Sequence, residues 1–307
     1  MMNVSTSKSI LVTGGAGFVG SYLIPALLNE NKSCVIKVLD NLQRGHREFI
    51  PDDPRVDFVL ADIRQIDSIE EHFKNVDTVF HLASVVGGVK NVFENEANVF
   101  HDTSIINCNV INMCRKYRSS IRRVIYLSTA CCYPKGKQSF RFNEFGGVDY
   151  NYLKEYDVYP ADPESGYGLA KLLGEQLCEK LLDKEVYHIV RLHNLYGPRM
   201  ACDGSSQVTA SLIRKVLRIK SDEKNKVLTV WGCGEQYRDF IFIEDAIRGI
   251  MEVYKQNPID AKVIQLGSGQ VTTINSLAKV ICDIHCRKQR LKDIQIVSIQ
   301  SKILSTI

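Results

Sequence analysis

The chain has 307 residues, of which 45% are hydrophobic and 24% are charged, and this length and composition predict a large buried core divided into two lobes. The formal net charge is only +4 and the basic residues are scattered, so we expect no nucleic-acid-binding surface. No apolar run approaches the roughly 20 residues that span a bilayer, and no leader segment precedes the first strand, so no membrane association and a cytoplasmic location are predicted.

Apolar strands alternate with helical periods through residue 195, which predicts an α/β fold with a parallel, doubly wound Rossmann sheet. The predicted strands are Ser9–Val12, Val35–Leu39, Val56–Leu60, Thr78–Leu82, Val124–Leu127 and Tyr187–Leu192. The predicted helices are Gly20–Asn29, Ile66–Phe73, Asn98–Tyr117 and Tyr167–Leu182.

After Gly197 the alternation weakens, which predicts a smaller α/β lobe. Its predicted elements are a helix near Val208–Arg218 and strands near Val227–Trp231, Asp239–Ile243 and Val263–Leu266. We therefore predict a Rossmann domain over residues 1–195, with a returning segment at about 239–270, and a mainly substrate-binding lobe over 196–307. The segment from Arg287 onward has few residues that mark turns or the ends of elements, and we expect this lobe to lack a terminal element.

A glycine-rich loop, Thr13-Gly-Gly-Ala-Gly-Phe-Val-Gly20, follows the first strand, and an acid closes the second strand. Gly14 and Gly17 allow a tight turn beside a pyrophosphate, and Gly20 lets the next helix pack against the strand. The helix N-terminus favours the negative phosphate. Asp40, at the tip of the second strand, is expected to accept hydrogen bonds from a ribose 2′-hydroxyl, which favours NAD over NADP even though Arg44 lies close by.

Two ionisable side chains lie four residues apart in Tyr167-Gly-Leu-Ala-Lys171, and therefore on one face of a helix. An ammonium group beside a phenol is expected to stabilise the phenolate and lower the pKa of Tyr167. With the positive nicotinamide also near, the sequence predicts that Tyr167 is a base at neutral pH.

The ten cysteines are expected to be reduced and to serve as small apolar side chains. Cys282 and Cys286 lie four residues apart with His285 between them, but no second pair of ligands occurs nearby, so we predict no metal site. His81 and His193 flank the ends of predicted strands, and we expect both to be hydrogen-bonded structural residues.

Over nearly its whole length the chain resembles the extended short-chain dehydrogenases/reductases of the nucleotide-sugar epimerase and dehydratase group. The resemblance rests on these segments: Thr13–Gly20, Asp40–Asn41, Ala61–Ile63, Phe80–Ala83, Leu127–Thr129, Tyr167–Lys171, Arg191–Pro198 and Gly232–Glu244. It implies that Thr129 hydrogen-bonds the sugar hydroxyl that Tyr167 deprotonates, while Lys171 holds the nicotinamide ribose and the tyrosine. It also implies a homodimer joined through the two long helices Asn98–Tyr117 and Tyr167–Leu182.

The same resemblance implies which residues bind the cofactor and the nucleotide-diphosphate sugar. The expected NAD contacts are Gly14, Gly17, Phe18, Val19, Gly20, Asp40, Asn41, Arg44, Asp62, Ile63, Leu82, Ala83, Ser84, Tyr167 and Lys171. Asp62 and Ile63 would flank the adenine, and Leu82 and Ala83 would line the cofactor channel. The expected substrate contacts are Gly87, Gly88, Thr129, Asn194 and Arg238.

Asn194 and Arg238 would meet the diphosphate, a role that suits an amide and a guanidinium fork. The alternative for Arg238 is a surface ion pair with Asp239 or Glu235. Base and sugar contacts are expected from the loops 138–162 and 200–207, since a long loop inside a compact domain is usually functional.

In this group a C4 hydroxyl loses its proton to the tyrosine and a hydride to NAD, and residues near C3, C5 and C6 decide the next chemical step. The 4,6-dehydratases carry an Asp-Glu pair after the threonine, whereas this chain has Ala130 and Cys131, so dehydration is ranked low. The segment Thr129-Ala-Cys-Cys-Tyr-Pro134 resembles the GDP-mannose 3,5-epimerases, in which the cysteine removes a proton next to the ketone. The segments at Gly87-Gly88, Tyr159–Glu164 and Arg191–Pro198 indicate the same relationship.

One departure from that pattern leaves alternatives open. Those epimerases have a lysine about ten residues beyond the Gly-Pro as their second acid/base, and the segment Asp203–Thr209 holds none. Another group could supply the proton, only one centre could be inverted, or the chain could be a UDP-hexose 4-epimerase. A catalytically inactive NAD-binding regulatory protein is the non-enzyme alternative.

For Cys131 the alternative role is that of a buried apolar residue. Cys132, adjacent on the same strand, is expected to point the other way.

Overall fold

The computed structural model describes residues 8–138, 141–142, 148–149, 153–203, 206–219, 226–256, 262–289 and 293–299. Parts of the loops 138–162 and 200–207, which were expected to contact base and sugar, therefore lie outside the described residues. Contacts divide the chain into two units. The first unit comprises Met1–Val86, Asn95–His193 and Ile243–Leu266, and the second comprises Gly87–Glu94, Asn194–Phe242 and Gly267–Ile307.

Strands and helices alternate along the described chain. The strands are β1 Ser9–Thr13, β2 Val35–Asp40, β3 Val56–Leu60, β4 Thr78–His81, β5 Arg123–Thr129, β6 Arg141–Phe142, β7 Val148–Asp149, β8 Tyr187–Leu192, β9 Asn194–Tyr196, β10 Val227–Trp231, β11 Tyr237–Phe242, β12 Val263–Leu266, β13 Val271–Thr273 and β14 Gln295–Ile299. The helices are α1 Gly20–Glu30, α2 Ile66–Ile69, α3 Val89–Glu94, α4 Glu96–Lys116, α5 Gly166–Leu181, α6 Val208–Leu217, α7 Ile243–Lys255 and α8 Ile274–Gln289.

Among the described residues of the first unit, seven strands form one parallel sheet in the order β12-β8-β5-β4-β1-β2-β3. This confirms the predicted doubly wound α/β fold. The order reverses at β1, where Thr13 is aligned with Leu39 of β2 and with His81 of β4. In such sheets ligands bind outside the carboxyl ends of the strands at this reversal. The fold therefore brings the glycine loop after β1 and the segment after β4 to one edge.

One buried cluster of the first unit lies between the sheet and the long helices α4 and α5, and α1 and α7 bury further apolar side chains. Every residue of β4 and β8 is buried, as expected for strands covered on both faces. Leu11, Val79 and Val124 of the sheet belong to the same buried cluster as Ile106 of α4 and Cys178 of α5. Because α5 is anchored in this cluster, the side chains on its first turns are held against the ends of the strands.

The second unit has its own small core. Strand β11 pairs in parallel with β9 and antiparallel with β13, while β10 pairs in parallel with β14. A separate buried cluster includes Leu212 of α6, Leu228 of β10 and Cys282 of α8. The second unit also includes Gly87–Glu94, a segment that lies inside the predicted Rossmann domain.

Besides shifts of a few residues at the ends of several elements, two predictions differ from the structure in the type of element. The predicted strand Asp239–Ile243 is wrong at its end, because β11 stops at Phe242 and Ile243 begins the unpredicted helix α7. Glu244 and Asp245 lie in the first turn of α7, where negative side chains stabilise the helix N-terminus. The predicted helix Ile66–Phe73 is one α-helical turn, α2, followed by a 3₁₀ turn at Glu70–Phe73.

Candidate active site

The glycine loop is packed tightly between β1 and the segment that follows β4. Gly14 has a φ of 70°, and a Cβ there would lie 2.7 Å from the backbone of Ala83. A Cβ at Gly20 would overlap the carbonyl group of Gly15, so the start of α1 needs glycine as well. At Gly17 a Cβ would have only the Gly14 carbonyl as a neighbour, at 3.2 Å. The loop thus presents bare backbone at the N-terminus of α1, which fits a pyrophosphate.

Asp40 fastens this loop to the tip of β2. Its Oδ2 accepts a hydrogen bond from the Ala16 amide at 3.0 Å, and its Oδ1 accepts one from the Leu42 amide at 2.8 Å. Burial raises the pKa of Asp40, in opposition to these two hydrogen bonds. Gly45 packs closely against this carboxylate, since a Cβ there would lie 2.9 Å from Oδ1 and 2.8 Å from the Cβ of Ala16. Each carboxylate oxygen retains acceptor capacity for a ribose hydroxyl, so Asp40 fits both a structural and a cofactor-binding role.

The segment expected to flank the adenine is held by an ion-pair network. Arg64 forms a fork with Asp62, with Nε to Oδ1 at 3.0 Å and Nη2 to Oδ2 at 2.6 Å, and its Nη1 reaches Asp102 of α4 at 2.6 Å. The guanidinium lowers the pKa of Asp62 to about 2. Asn109 of α4 donates to the carbonyl of Ile63 at 2.8 Å. Helix α4 therefore fixes the loop after β3, a contact that the sequence did not predict.

Tyr167 lies in the first turn of α5, whose N-cap Ser165 accepts a hydrogen bond from the Gly168 amide at 3.4 Å. Burial raises the pKa of the Tyr167 phenol, and the nearby Cys131 thiol raises it further. The hydroxyls of Ser84 and Thr129 lie beside the phenol and lower its pKa in part. The structure thus brings Tyr167 together with Ser84, Thr129 and Cys131.

The prediction that Lys171 lowers the pKa of Tyr167 is wrong for this structure, because burial dominates and the ammonium has another neighbour. Lys171 is only 2% exposed, and its Nζ lies 4.3 Å from the centroid of the Tyr126 ring. Burial lowers the pKa of Lys171 to about 8, against an opposing effect of Glu175. The Tyr126 hydroxyl also donates to the Lys171 carbonyl at 3.1 Å. Lys171 therefore remains mostly protonated at neutral pH, although its pKa is much closer to neutrality than that of an exposed lysine.

Cys131 lies on a turn rather than on a strand. Strand β5 ends at Thr129, and Ala130–Cys132 forms a 3₁₀ turn in which Thr129 Oγ1 accepts a hydrogen bond from the Cys131 amide at 3.2 Å. The expectation that the two cysteines share a strand is wrong, yet the turn still separates them, since Cys131 is exposed and Cys132 is buried. The alternative that Cys131 is a buried apolar residue is also wrong.

The residues expected to bind substrate are divided between the two units. Thr129 belongs to the first unit, whereas Gly87, Gly88, Asn194 and Arg238 belong to the second. Asn194, at the start of β9, donates from Nδ2 to the carbonyl of residue 239 at 2.9 Å. This contact leaves the amide oxygen of Asn194 for other partners.

Arg238 does not form the ion pair that was its alternative role. Among the described residues its guanidinium donates only to the Tyr237 carbonyl, at 2.8 Å, and pairs with no carboxylate. Asp239 instead accepts hydrogen bonds from Ser268, and Glu235 accepts one from Asn275 at 2.7 Å.

His81 belongs to a buried chain of hydrogen bonds. Thr13 Oγ1 lies 2.8 Å from His81 Nδ1, and His81 Nε2 lies 3.1 Å from Asn107 Oδ1. Asn107 Nδ2 donates to the Ala170 carbonyl at 2.9 Å, so its Oδ1 is the acceptor for His81 Nε2, and Nδ1 accepts from Thr13. Burial, reinforced by the charge of Lys171, lowers the pKa of His81 to about 3. The ring is neutral and joins β1, β4, α4 and α5.

A buried ion pair, Glu175 with Arg191, was not predicted as part of the site. Its signal in the sequence was position: Tyr167, Lys171 and Glu175 are spaced by four residues, so all three lie on one helix face. A carboxylate on that buried face needs a cation from a neighbouring element.

In the described ranges no cluster of three or more His, Cys, Asp or Glu is arranged to hold a metal ion. No helix of those ranges is both long and apolar enough to cross a bilayer.

Comparison with known proteins gives consistent matches over most of the chain. The family model described as NAD dependent epimerase/dehydratase family matches residues 10–267. A putative UDP-glucose 4-epimerase of Methanocaldococcus jannaschii is 33% identical over 89% of this chain and 81% of its own length. GDP-mannose 3,5-epimerase of Arabidopsis thaliana is 28% identical over 92% of this chain and 71% of its own.

Solved structures match as well. UDP-glucose 4-epimerase of Thermotoga maritima, determined with UDP-glucose, is 25% identical, with a TM-score of 0.70 over 96% of this chain and 86% of that one. UDP-N-acetylglucosamine 4-epimerase of Methanobrevibacter ruminantium, determined with UDP-N-acetylmuramic acid, is 25% identical, with a TM-score of 0.75 over the same shares of the two chains.

Proposed function

The chain belongs to the NAD-dependent epimerase/dehydratase family, and we propose that it epimerises a nucleotide sugar through a transient 4-keto sugar, in the manner of a GDP-mannose 3,5-epimerase. The cofactor of the family is NAD, and the bare glycine loop and the remaining acceptor capacity of the Asp40 carboxylate fit a dinucleotide. When bound, oxidised NAD supplies a hydride acceptor and a positively charged ring.

The first proton transfer in this proposal belongs to Tyr167. Once ionised, its phenolate, beside Ser84 and Thr129, takes the proton from the C4 hydroxyl of the sugar, and Thr129 orients that hydroxyl. Burial raises the pKa of Tyr167, so a nearby positive charge is needed before the phenol can act as a base at neutral pH. Lys171 orients the tyrosine and the nicotinamide ribose.

The observation that carries the proposal is the exposed Cys131 thiol, on the turn directly after Thr129. A ketone at C4 acidifies the hydrogens on C3 and C5, and a thiolate beside the ring is a base that can remove one of them. The turn that carries the thiol packs against Gly168, the residue next to Tyr167, and the thiol raises the pKa of the phenol. No carboxylate pair follows Thr129, which argues against 4,6-dehydration.

A UDP-hexose 4-epimerase is the second candidate, favoured by the 33% identity to the protein described as a putative UDP-glucose 4-epimerase. In that reaction the keto sugar is reduced on its other face and Cys131 has no role. An inactive regulatory protein is disfavoured because Tyr167, Lys171 and Thr129 are all present.

For the substrate we propose GDP-mannose, with Asn194 and Arg238 at the diphosphate and Gly87 and Gly88 close to the sugar. The guanidinium of Arg238 is unpaired by carboxylates in the described part of the chain, which leaves its fork for a phosphate.

We also propose a homodimer formed through α4 and α5. Phe100 of α4 is 36% exposed, and Leu169 and Leu173 of α5 are 43% and 37% exposed. Large apolar side chains on two adjacent helices suit a face that a second copy of the chain covers.

The deciding experiment is incubation with GDP-mannose or UDP-glucose in deuterated water, with the products followed by NMR. Deuterium at C3 or C5 would support the proposal. Inversion at C4 without deuterium would identify a 4-epimerase, and no turnover of either sugar would favour the inactive interpretation.

A further inference from the structure

A buried ion pair lies one helical turn beyond Lys171, and the proposed proton transfers do not use it. Glu175 of α5 and Arg191 of β8 have side chains that are each only 2% exposed. They form a fork, with Nε to Oε1 at 2.9 Å and Nη2 to Oε2 at 2.7 Å, and the Ser128 hydroxyl also donates to Oε1. A buried pair of this kind is weak support for stability alone, because removing both charges from water is costly.

The third nitrogen of Arg191 extends this pair to the turn that carries the thiol. Nη1 donates to the Tyr133 hydroxyl at 2.9 Å and to the Glu155 carbonyl at 2.6 Å. The Tyr133 ring is fully buried, and the guanidinium lies 5.1 Å from its centroid. Tyr133 directly follows the 3₁₀ turn Ala130–Cys132, so its position determines where that turn ends.

The same turn also touches α5 directly. A Cβ at Gly168 would overlap the carbonyl oxygen of Cys131 and lie 2.9 Å from the carbonyl carbon. The turn is thus held to α5 at two places: at Gly168, beside Tyr167, and through Tyr133 and Arg191 at Glu175.

We infer that Glu175, Arg191 and Tyr133 are positioning residues, which set the distance between the Cys131 thiol and the Tyr167 phenol. This inference rests on the proposed function, since it gives Cys131 a chemical role. It explains why charges occupy this buried position: a fork fixes direction as well as distance, which apolar packing does not.

Tyr133→Phe is the most selective test, because it removes one hydroxyl and leaves the Glu175–Arg191 pair intact. Its matched control is Tyr187→Phe, at a buried tyrosine on the same strand as Arg191 but outside the network. The first readout needs no substrate: the rate and pH dependence of iodoacetamide alkylation at Cys131, resolved by peptide mass spectrometry. The exposed Cys202 and Cys233 serve as internal references.

We expect Tyr133→Phe to change alkylation at Cys131 by about threefold or more, since reactivity follows the environment of the thiolate, while the reference cysteines and Tyr187→Phe stay at the wild-type rate. The second readout is deuterium incorporation, which should fall by about tenfold while formation of the 4-keto sugar is retained, since small misplacements of a reacting group are costly in rate. Arg191→Lys should lower deuterium incorporation to a similar extent, because a lysine cannot form the two-pronged contact with Glu175.

Wild-type alkylation and deuterium incorporation in Tyr133→Phe would overturn the inference and leave the proposed function standing. If Cys131→Ala retains full deuterium incorporation, the proposed function fails, and the alkylation readout alone decides whether the network positions the turn.

Discussion

The backbone of Gly168 lies in direct contact with the carbonyl group of Cys131. Through this contact the helix that carries Tyr167 packs directly against the turn that carries the thiol. Position 168 requires glycine because any Cβ there would overlap the Cys131 carbonyl oxygen. The requirement comes from the lack of space and not from an unusual backbone conformation.

Gly168→Ala is therefore expected to separate the turn from α5. We expect the free energy of unfolding to fall by about 1–3 kcal/mol, as for other overpacked sites, and deuterium incorporation to be lost. Urea unfolding and NMR of the product measure the two effects. Gly136→Ala is the matched control, since a Cβ there meets nothing within 4 Å. Equal behaviour of the two variants would contradict the argument.

Tyr167→Phe removes the proposed base and keeps the ring. Turnover should fall by about 10²–10⁴-fold, the usual contribution of a positioned acid or base. The affinity for NAD, measured by fluorescence titration, should fall far less than turnover, because Tyr167 is one of many expected NAD contacts and the glycine loop is untouched. A variant with full turnover would show that another group takes the C4 proton.

Cys131→Ala and Cys132→Ala are expected to have opposite effects. The first should abolish deuterium incorporation at C3 and C5 without loss of stability, since Cys131 is exposed. The second should lower the free energy of unfolding by about 1 kcal/mol or more, because it leaves a cavity, and should retain incorporation. Thermal unfolding and NMR separate the two, and the reverse result would assign the chemistry to the buried thiol.

Asp40→Asn should weaken both the loop and the cofactor site. An amide offers one oxygen, so the Ala16 or the Leu42 amide would face an NH₂ group. An unsatisfied buried donor costs about 1–3 kcal/mol. NAD should raise the melting temperature of the wild type more than NADP does, and this stabilisation should be much smaller in the variant. A variant stabilised by NAD as strongly as the wild type would argue against this role.

His81 makes stability depend on pH in a defined window. The unfolded ring titrates near pH 6.5, whereas burial, reinforced by the charge of Lys171, lowers the folded pKa to about 3. Between these values the unfolded chain binds a proton that the folded chain does not, so the free energy of unfolding falls as pH is lowered and is restored above pH 6.5.

The slope from this ring is about 1.4 kcal/mol per pH unit within the window. His81→Gln should lose that slope between about pH 6.5 and 4.5, while His46→Gln, at an exposed ring, should keep it. Urea titrations at several pH values measure the difference, and parallel curves for wild type and His81→Gln would contradict the argument.

The sequence predicted the sheet well because each strand of a parallel sheet is a short apolar run bounded by polar residues. Val56–Leu60 and Tyr187–Leu192 have the same bounds in the structure as in the prediction. The start of α7 was missed because Asp239–Ile243 continues the apolar pattern of a strand into a helix.

The site was predicted less completely, because its motifs give residue types and not contacts. The spacing of Tyr167 and Lys171 placed them correctly on one helix face, but the direction of the ammonium depends on the Tyr126 ring, which is distant in sequence. The turn at Cys131 could not be distinguished from a strand end, and the partner of Glu175 lies on another strand.

Helix α4 holds three separate segments through side chains on its middle turns. Thr103 accepts a hydrogen bond from the Val85 amide at 3.2 Å, Asn107 bonds His81 and α5, and Asn109 holds the loop after β3. Each further residue of a helix turns it by about 100°. One residue inserted ahead of Thr103 would therefore rotate all three side chains away from their partners together. This stretch of α4 is thus intolerant of insertions and deletions, although it lies outside the segments that carry the proposed reacting groups.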